Sequence, residues 1–253
     1  MFGIHHLNKD KSDNPVIKYY GMPDFSVRTL LPEKMDQPGV SPDETRQALH
    51  ELEVINKLLG GYHVVLDALN QLEWPEHPVT IMDMGCGGGD MLRAIAEWAA
   101  KKKRTVNLVG VDWNPVMTEY AIMKSKMFSN IRFITVSVFD EELLKEKADI
   151  TMNSLFCHHF DNSELLQLIR RMHQIASKAV IINDLHRHWF AYYSIMIITR
   201  LFSKTYLVKY DGPLSVARSL TGKEWKQILS SATTGNYSLR WMWAWRWQII
   251  IKK

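Results

Sequence analysis

The sequence predicts an α/β protein built on a mainly parallel sheet with helices on both faces. Three observations predict it. Strand-like and helix-like segments alternate with short links from Val79 to Asn183. The first of these strands runs into a glycine-rich loop that opens a helix. The chain has 253 residues, 46% hydrophobic and 23% charged, which suits one globular α/β domain with appended segments. That composition excludes a disordered chain, a collagen-like chain and a disulfide-stapled miniprotein.

Residues 1–40 carry Pro15, Pro23, Pro32 and Pro38 with little periodicity and read as an irregular arm with one helical turn. A helix then starts at Ser41, which can cap it. Pro42 suits the first helical position and Glu44 completes a capping box. Leu49, Leu52, Ile55, Leu58 and Leu59 recur at helical spacing. Gly60 and Gly61 break that helix, and Val64, Leu66, Leu69 and Leu72 mark a second one up to Trp74-Pro75.

The alternating series follows: strand 79–84, glycine loop 85–89, helix 91–102, strand 106–111, helix 115–127 and strand 131–136. Strand 148–154, helix 162–175 and strand 179–183 complete it. Residues 185–220 interrupt the alternation with an apolar helix-like stretch and a turn at Asp211-Gly212-Pro213. They read as an insertion over the edge of the sheet. Residues 221–232 form a last helix. Residues 237–251 alternate as two antiparallel strands around a turn near Ala244-Trp245, a pair that lacks good turn chemistry.

The string Asp83-Met84-Gly85-Cys86-Gly87-Gly88-Gly89-Asp90 is the most informative segment. A buried strand delivers the chain to a turn that small residues make, and the next helix presents unpaired N–H groups. The dinucleotide fingerprint G-x-G-x-x-G fails, because Asp90 stands where its third glycine belongs and would repel a pyrophosphate. A nicotinamide oxidoreductase is therefore disfavoured, whereas a neutral or cationic adenosyl group tolerates the acid. Asp112 falls at the end of the second strand, where an acid can accept both hydroxyls of a ribose, and Trp113 can lie against an adenine. The plainer reading of Asp112 is a helix cap, with Asn114 competing for that role.

These residues resemble the class I S-adenosylmethionine-dependent methyltransferases. The glycine string is similar to the family's first motif, and Asp112 to its ribose-binding acid. The resemblance covers residues 79–184 clearly and the tail to Lys253 loosely. It implies a Rossmann-like seven-stranded sheet with the last strand antiparallel, and S-adenosylmethionine lying over the strand ends. Asp83, Gly85, Cys86, Gly87, Asp112, Trp113, Ser137, Val138 and Asn153 would then form the donor site. At the adenine amine, where the family often has an acid, this chain has Ser137, or Asp140 if the register slips. Ala176-Ser177-Lys178-Ala179 stands in place of a Pro-Gly-Gly turn. The helix with Asn56 to Gly61 and the string Asn183 to His188 resemble a bacterial subgroup associated with polyketide or aromatic-pigment pathways.

Implied domains are an N-terminal arm and helical lid (1–78) and the donor-binding domain (79–253) with a lid-like insertion at 185–220. Asn153 to Phe156 lacks the Asn/Asp-Pro-Pro-aromatic motif of exocyclic amine methylation. His158 stands where caffeate-type O-methyltransferases, which this stretch resembles, place the histidine that deprotonates a phenol. His159 is the second candidate, and the plainer reading of both is a packed, hydrogen-bonded histidine. Tyr192, His186 and Tyr20 are candidates for contact with the acceptor, and Arg28 for contact with the donor carboxylate. His158, His159 and Asp161 are adjacent without an obvious metal ligand set.

A small-molecule acceptor is expected, with O-methylation favoured. C-methylation of a quinone-like, phenol-like or lipidic acceptor and a non-catalytic adenosyl-binding protein are the alternatives. A net charge of +4 is too small an excess for a nucleic-acid footprint. The run Lys101 to Arg104 is explained by a helix C-terminus. The two cysteines make no disulfide framework, and no signal peptide or spanning segment is visible, so a cytoplasmic protein is expected.

Overall fold

The computed structural model describes residues 23–233 and 236–253. Helices α1 (Pro42–Leu58) and α2 (Gly61–Asn70) precede the alternating series. The series is β1 (Val79–Met84), α3 (Asp90–Lys101), β2 (Val106–Asp112), α4 (Pro115–Lys124), β3 (Ile131–Thr135), β4 (Ala148–Ser154), α5 (Asn162–Ile175) and β5 (Ala176–Leu185). Then come α6 (Trp189–Phe202), α7 (Tyr206–Arg218), α8 (Gly222–Ala232), β6 (Tyr237–Met242) and β7 (Arg246–Lys252).

The seven strands form one sheet in the order β3-β2-β1-β4-β5-β7-β6. β1 to β5 run parallel, and β7 enters antiparallel between β5 and β6. The pleat divides β1 between two cores, as its period of two requires. Val79 and Ile81 pack with Val65, Leu69, Leu92 and Ile95 of α2 and α3. Met82 and Met84 pack with Leu165, Met172, Trp225 and Leu229 of α5 and α8. The fold is thus a Rossmann-like α/β sandwich. β1, β2, β4 and β5 all point their C-terminal ends at one rim, where open α/β sheets bind ligands.

The local signals hold at the caps. Ser41 and Glu44 form the expected capping box with Pro42 at the first position. Gly60 takes φ +71° and separates α1 from α2. α2 stops at Asn70, short of Trp74-Pro75, and the indole N–H of Trp74 donates to the Leu69 carbonyl at its end. Helix α4 stops at Lys124, short of residue 127, and β5 starts three residues earlier than expected, at Ala176. The turn between β6 and β7 lies at Ala244-Trp245, both in the left-handed region at φ +60° and +52°. Packing sustains it: the Trp245 ring stacks on Phe190 at 4.9 Å, and its carbonyl accepts from the His186 amide.

One expectation is corrected. Asp211-Gly212-Pro213 is not a turn but lies inside α7. Pro213 removes one ladder hydrogen bond, yet the helix continues because Leu207, Val208, Leu214 and Val216 are buried along it. Gly212 lets α6 approach, since a Cβ there would meet Thr199 at 3.1 Å. The Asp211 carboxylate is occupied by the amides of Lys34 and Met35, which ties the N-terminal arm to this helix.

Candidate active site

β1 ends in the glycine loop, where Gly85, Gly87 and Gly89 take φ of +80°, +49° and +70°. The amides of Gly85 and Cys86 both donate to the Val111 carbonyl, which pins the loop to β2. A Cβ on Gly85 would lie 2.4 Å from the Phe156 ring, so that residue is confined both by its backbone and by its neighbour. Asp112 closes the other side: its carboxylate accepts from the Gly87 amide at 2.9 Å and from the Asn114 amide at 3.0 Å. Asn114, not Asp112, caps α4 through Val116. The competing cap reading of Asp112 is thereby removed, and the carboxylate stands at the strand end with lone pairs to spare.

The loop borders a cavity of about 780 Å³ lined mainly by apolar groups. At one end lie Asp83, Gly85, Cys86, Gly87, Asp90 and Asp112, with Trp113, Ser137 and Val138 beside them. Trp113 is 57% exposed. Burial, then the neighbouring Asp90 and Asp112, push the Asp83 carboxyl well above the usual carboxylate range. Asp90 is raised chiefly by burial, although the Tyr62 hydroxyl and the Asn56 amide hold it.

Next to Phe156, whose ring abuts Gly85, the 3₁₀ turn Cys157–His159 presents both histidines to the same cavity. His158 Nδ1 is 2.7 Å from Asp184 Oδ1, and His159 Nδ1 is 2.8 Å from Asp36 Oδ2. The opposite nitrogens face Glu33 of the arm: His158 Nε2 is 3.4 Å from Oε1 and His159 Nε2 is 3.7 Å from Oε2. Burial would raise the Glu33 carboxyl, but His159, His158 and the Ser215 hydroxyl hold it well below the usual range. Burial works against a charged His158, and Asp184 and Glu33 outweigh it, so its ring is more basic than a free histidine. The guanidiniums of Arg28 and Arg218 donate to the carbonyls of this turn and lock its backbone.

The remaining sequence candidates divide. Asn153 is fully buried off the cavity, its amide between the Met172 sulfur and Cys157 Sγ. Tyr192 is buried against Phe25 and Tyr193 and does not line the cavity. Asp140 caps the short turn Glu141–Lys145. Arg28 holds backbone carbonyls at residues 158, 160 and 218 instead of facing the donor end. Tyr20 lies outside the described residues. Asp161 caps α5 through a capping box with Glu164.

His186 packs on Trp247 at 4.8 Å, away from the cavity wall. Burial, with His188 and Arg187 nearby, lowers its pKa to about 4. The fold therefore favours the neutral ring. Its contribution to stability is complete above the unfolded histidine value near 6.5 and declines as pH falls from there through 4. Replacing His186 with Phe should flatten the fall of the thermal midpoint between pH 6.5 and 4. An unchanged slope would refute this.

Four polar groups of the cavity wall gave no signal in the sequence. Glu33 and Asp36 sit in the unpatterned arm, and Asp36 meets His159 from 123 residues away. Asn56 bridges the Asp90 carboxylate and Arg246 from an ordinary helical position. Arg246 is buried in the cavity wall at the start of β7, where burial pulls its guanidinium down to about 10 against the pull of Asp184 and Asp90.

Residues 81–178 match a family model described as a methyltransferase domain. A comparison with curated proteins found no match. Solved structures with this fold include an O-methyltransferase candidate from Nostoc punctiforme PCC 73102, 18% identical with a TM-score of 0.62 over 90% of this chain and 65% of that one. The plantazolicin methyltransferase BpumL with SAH is 18% identical, TM-score 0.59, over 83% of this chain and 96% of that one. Human N-acetylserotonin methyltransferase with SAM is 16% identical, TM-score 0.60, over 84% of this chain and 56% of that one. This chain thus spans about two thirds of the Nostoc chain and just over half of the human one. The segment that matches the methyltransferase-domain model holds β1 to the start of β5, and with it the glycine loop and Asp112 at the end of β2.

Proposed function

We propose that the protein transfers the methyl group of S-adenosylmethionine to a small, mainly apolar acceptor, aromatic or polyketide-like, with a hydroxyl oxygen as the favoured target. The observation that carries this is one continuous cavity joining the glycine loop and Asp112 to the paired histidines. Gly85 and Gly87 would pass close to the donor's amino-acid moiety, Asp112 would hold the ribose and Trp113 the adenine. The acceptor end is walled by Leu52, Ile55, Phe190, Ile195, Ile198 and Val208. Those residues come from the described part of 1–78 and from 185–220, so both segments act as the roof that excludes water from the transfer.

His158 and His159 are the polar groups that meet the acceptor oxygen. Methyl transfer from a sulfonium needs in-line approach and an electron-rich oxygen, and a group that removes the hydroxyl proton contributes typically about 10²–10⁴-fold. The neighbouring structures include both an O-methyltransferase candidate and a polyketide synthase CMeT domain, so carbon is the second target to test.

The test is incubation with methyl-labelled donor and a panel of phenols, quinones and fatty-acyl phenols. Label on a phenolic oxygen, reduced at least about 100-fold in a folded His158→Ala variant, is expected. Label on carbon that survives His158→Ala would shift the reading to C-methylation. No transfer to any member by a protein that binds the donor would overturn the acceptor class.

A further inference from the structure

Two histidines from one short turn converge on the same buried carboxylate, Glu33. Each ring uses Nδ1 in an ordinary hydrogen bond, 2.7 Å to Asp184 and 2.8 Å to Asp36. Each ring then turns Nε2 toward the same carboxylate at 3.4 and 3.7 Å, beyond the usual 2.7–3.2 Å of an N–H···O bond. Ligand atoms that share a tetrahedral cation at ~2.0–2.1 Å stand ~3.4 Å apart. One nitrogen of each histidine and one oxygen of Glu33 all lie within 4.8 Å of one another. The carboxylate-to-Nδ1 hydrogen bonds are those that orient and strengthen imidazole ligands around a metal.

Charge agrees with geometry. Glu33, Asp36 and Asp184 bring three acids to the cluster, and Arg218 and Arg28 bring two guanidiniums, Arg218 Nε lying 4.0 Å from Glu33 Oε1. The two arginines spend their donors on backbone carbonyls, where they fix the turn. A cation bound there would take the place of protons on the two rings, beside these three carboxylates. Ser215 donates to Glu33 Oε1 at 2.7 Å and orients that carboxylate as Asp184 and Asp36 orient the rings.

We propose that Glu33, His158 and His159 bind a divalent first-row transition metal, zinc in the first instance, at the acceptor end of the cavity. Three protein ligands leave a tetrahedral ion with an open position, and all three residues line the cavity. Resting on the methyl-transfer reading, that position takes the acceptor's hydroxyl oxygen as oxyanion, its proton passing to solvent. His158 is then a metal ligand and not the base.

The test uses the full chain, stripped with a chelator and dialysed. Titration with Co²⁺ should give the visible absorption of a tetrahedral site saturating at one equivalent, and Zn²⁺ should displace it. Glu33→Gln and His159→Ala, checked for unchanged circular dichroism, should each weaken binding at least about 10-fold, and Asp36→Asn, which touches only Nδ1, about 10–100-fold. Absence of absorption and of zinc heat in folded wild type, or wild-type affinity in both ligand variants, would overturn the site. Donor binding by calorimetry on the same stripped sample separates the two readings. Loss of metal binding with donor binding intact overturns the metal alone, whereas metal binding without donor binding overturns methyl transfer alone.

Discussion

Asp112→Ala should bind S-adenosylhomocysteine at least about 100-fold more weakly than wild type in calorimetry, without unfolding. The carboxylate stands at the end of β2 with both oxygens braced by amides of the glycine loop and of Asn114. In the proposed complex its free lone pairs accept from the two ribose hydroxyls. Hydrogen bonds to a charged group contribute about 1.5–3 kcal/mol each, so a loss of ~3 kcal/mol over the pair gives a factor of about 100. Removing the side chain also frees the Gly87 amide, which adds to the loss. Asp112→Asn, which keeps an acceptor, should fall between the two. Affinity in folded Asp112→Ala within about threefold of wild type would mean that the ribose lies elsewhere, and the donor placement would go with it.

The second large effect is expected at Gly85. Its φ of +80° costs an L-residue about 1–2 kcal/mol, and a Cβ would sit 2.4 Å from the Phe156 ring. Phe156 cannot yield freely, because its ring is held edge-on by Phe160 at 4.9 Å and lies beside His159 at 6.0 Å. Forcing a methyl into such packing costs typically a further 1–3 kcal/mol. Gly85→Ala should therefore lose about 2–5 kcal/mol in chemical denaturation, with the donor site damaged at the same time. At Gly87 the φ is also positive, but a Cβ would meet nothing closer than Leu49 at 3.8 Å. Gly87→Ala should cost only the backbone share. Equal losses at the two positions would show that the Phe156 contact is not the cause.

The two variants separate what a linear pattern can express from what it cannot. The donor end was legible because its parts are local: an apolar strand, small residues that permit positive φ, a helix, and an acid at the end of the next strand. Each was read from spacing within one segment, and the sheet order then placed β1 beside β2. The capping residues Ser41 and Asn114 were equally legible or nearly so, since a cap acts on amides two or three residues away. The Asp211-Gly212-Pro213 signal misled because a local turn preference was outweighed by buried Leu207, Val208 and Leu214 along a helix.

What this chain settles through its sequence alone is therefore the α/β alternation and the donor loop, because both follow from backbone periodicity and from residues adjacent along the chain. The cluster around His158 and His159 was decided only by tertiary structure. Glu33 and Asp36 arrive from an arm without periodicity and Asp184 from the end of β5. Long-range packing of the arm against α7, through Asp211 and the amides of Lys34 and Met35, is what carries Glu33 to the histidines. Such meetings depend on the relative placement of whole elements, which hydrophobic burial sets collectively and no single stretch of residues encodes.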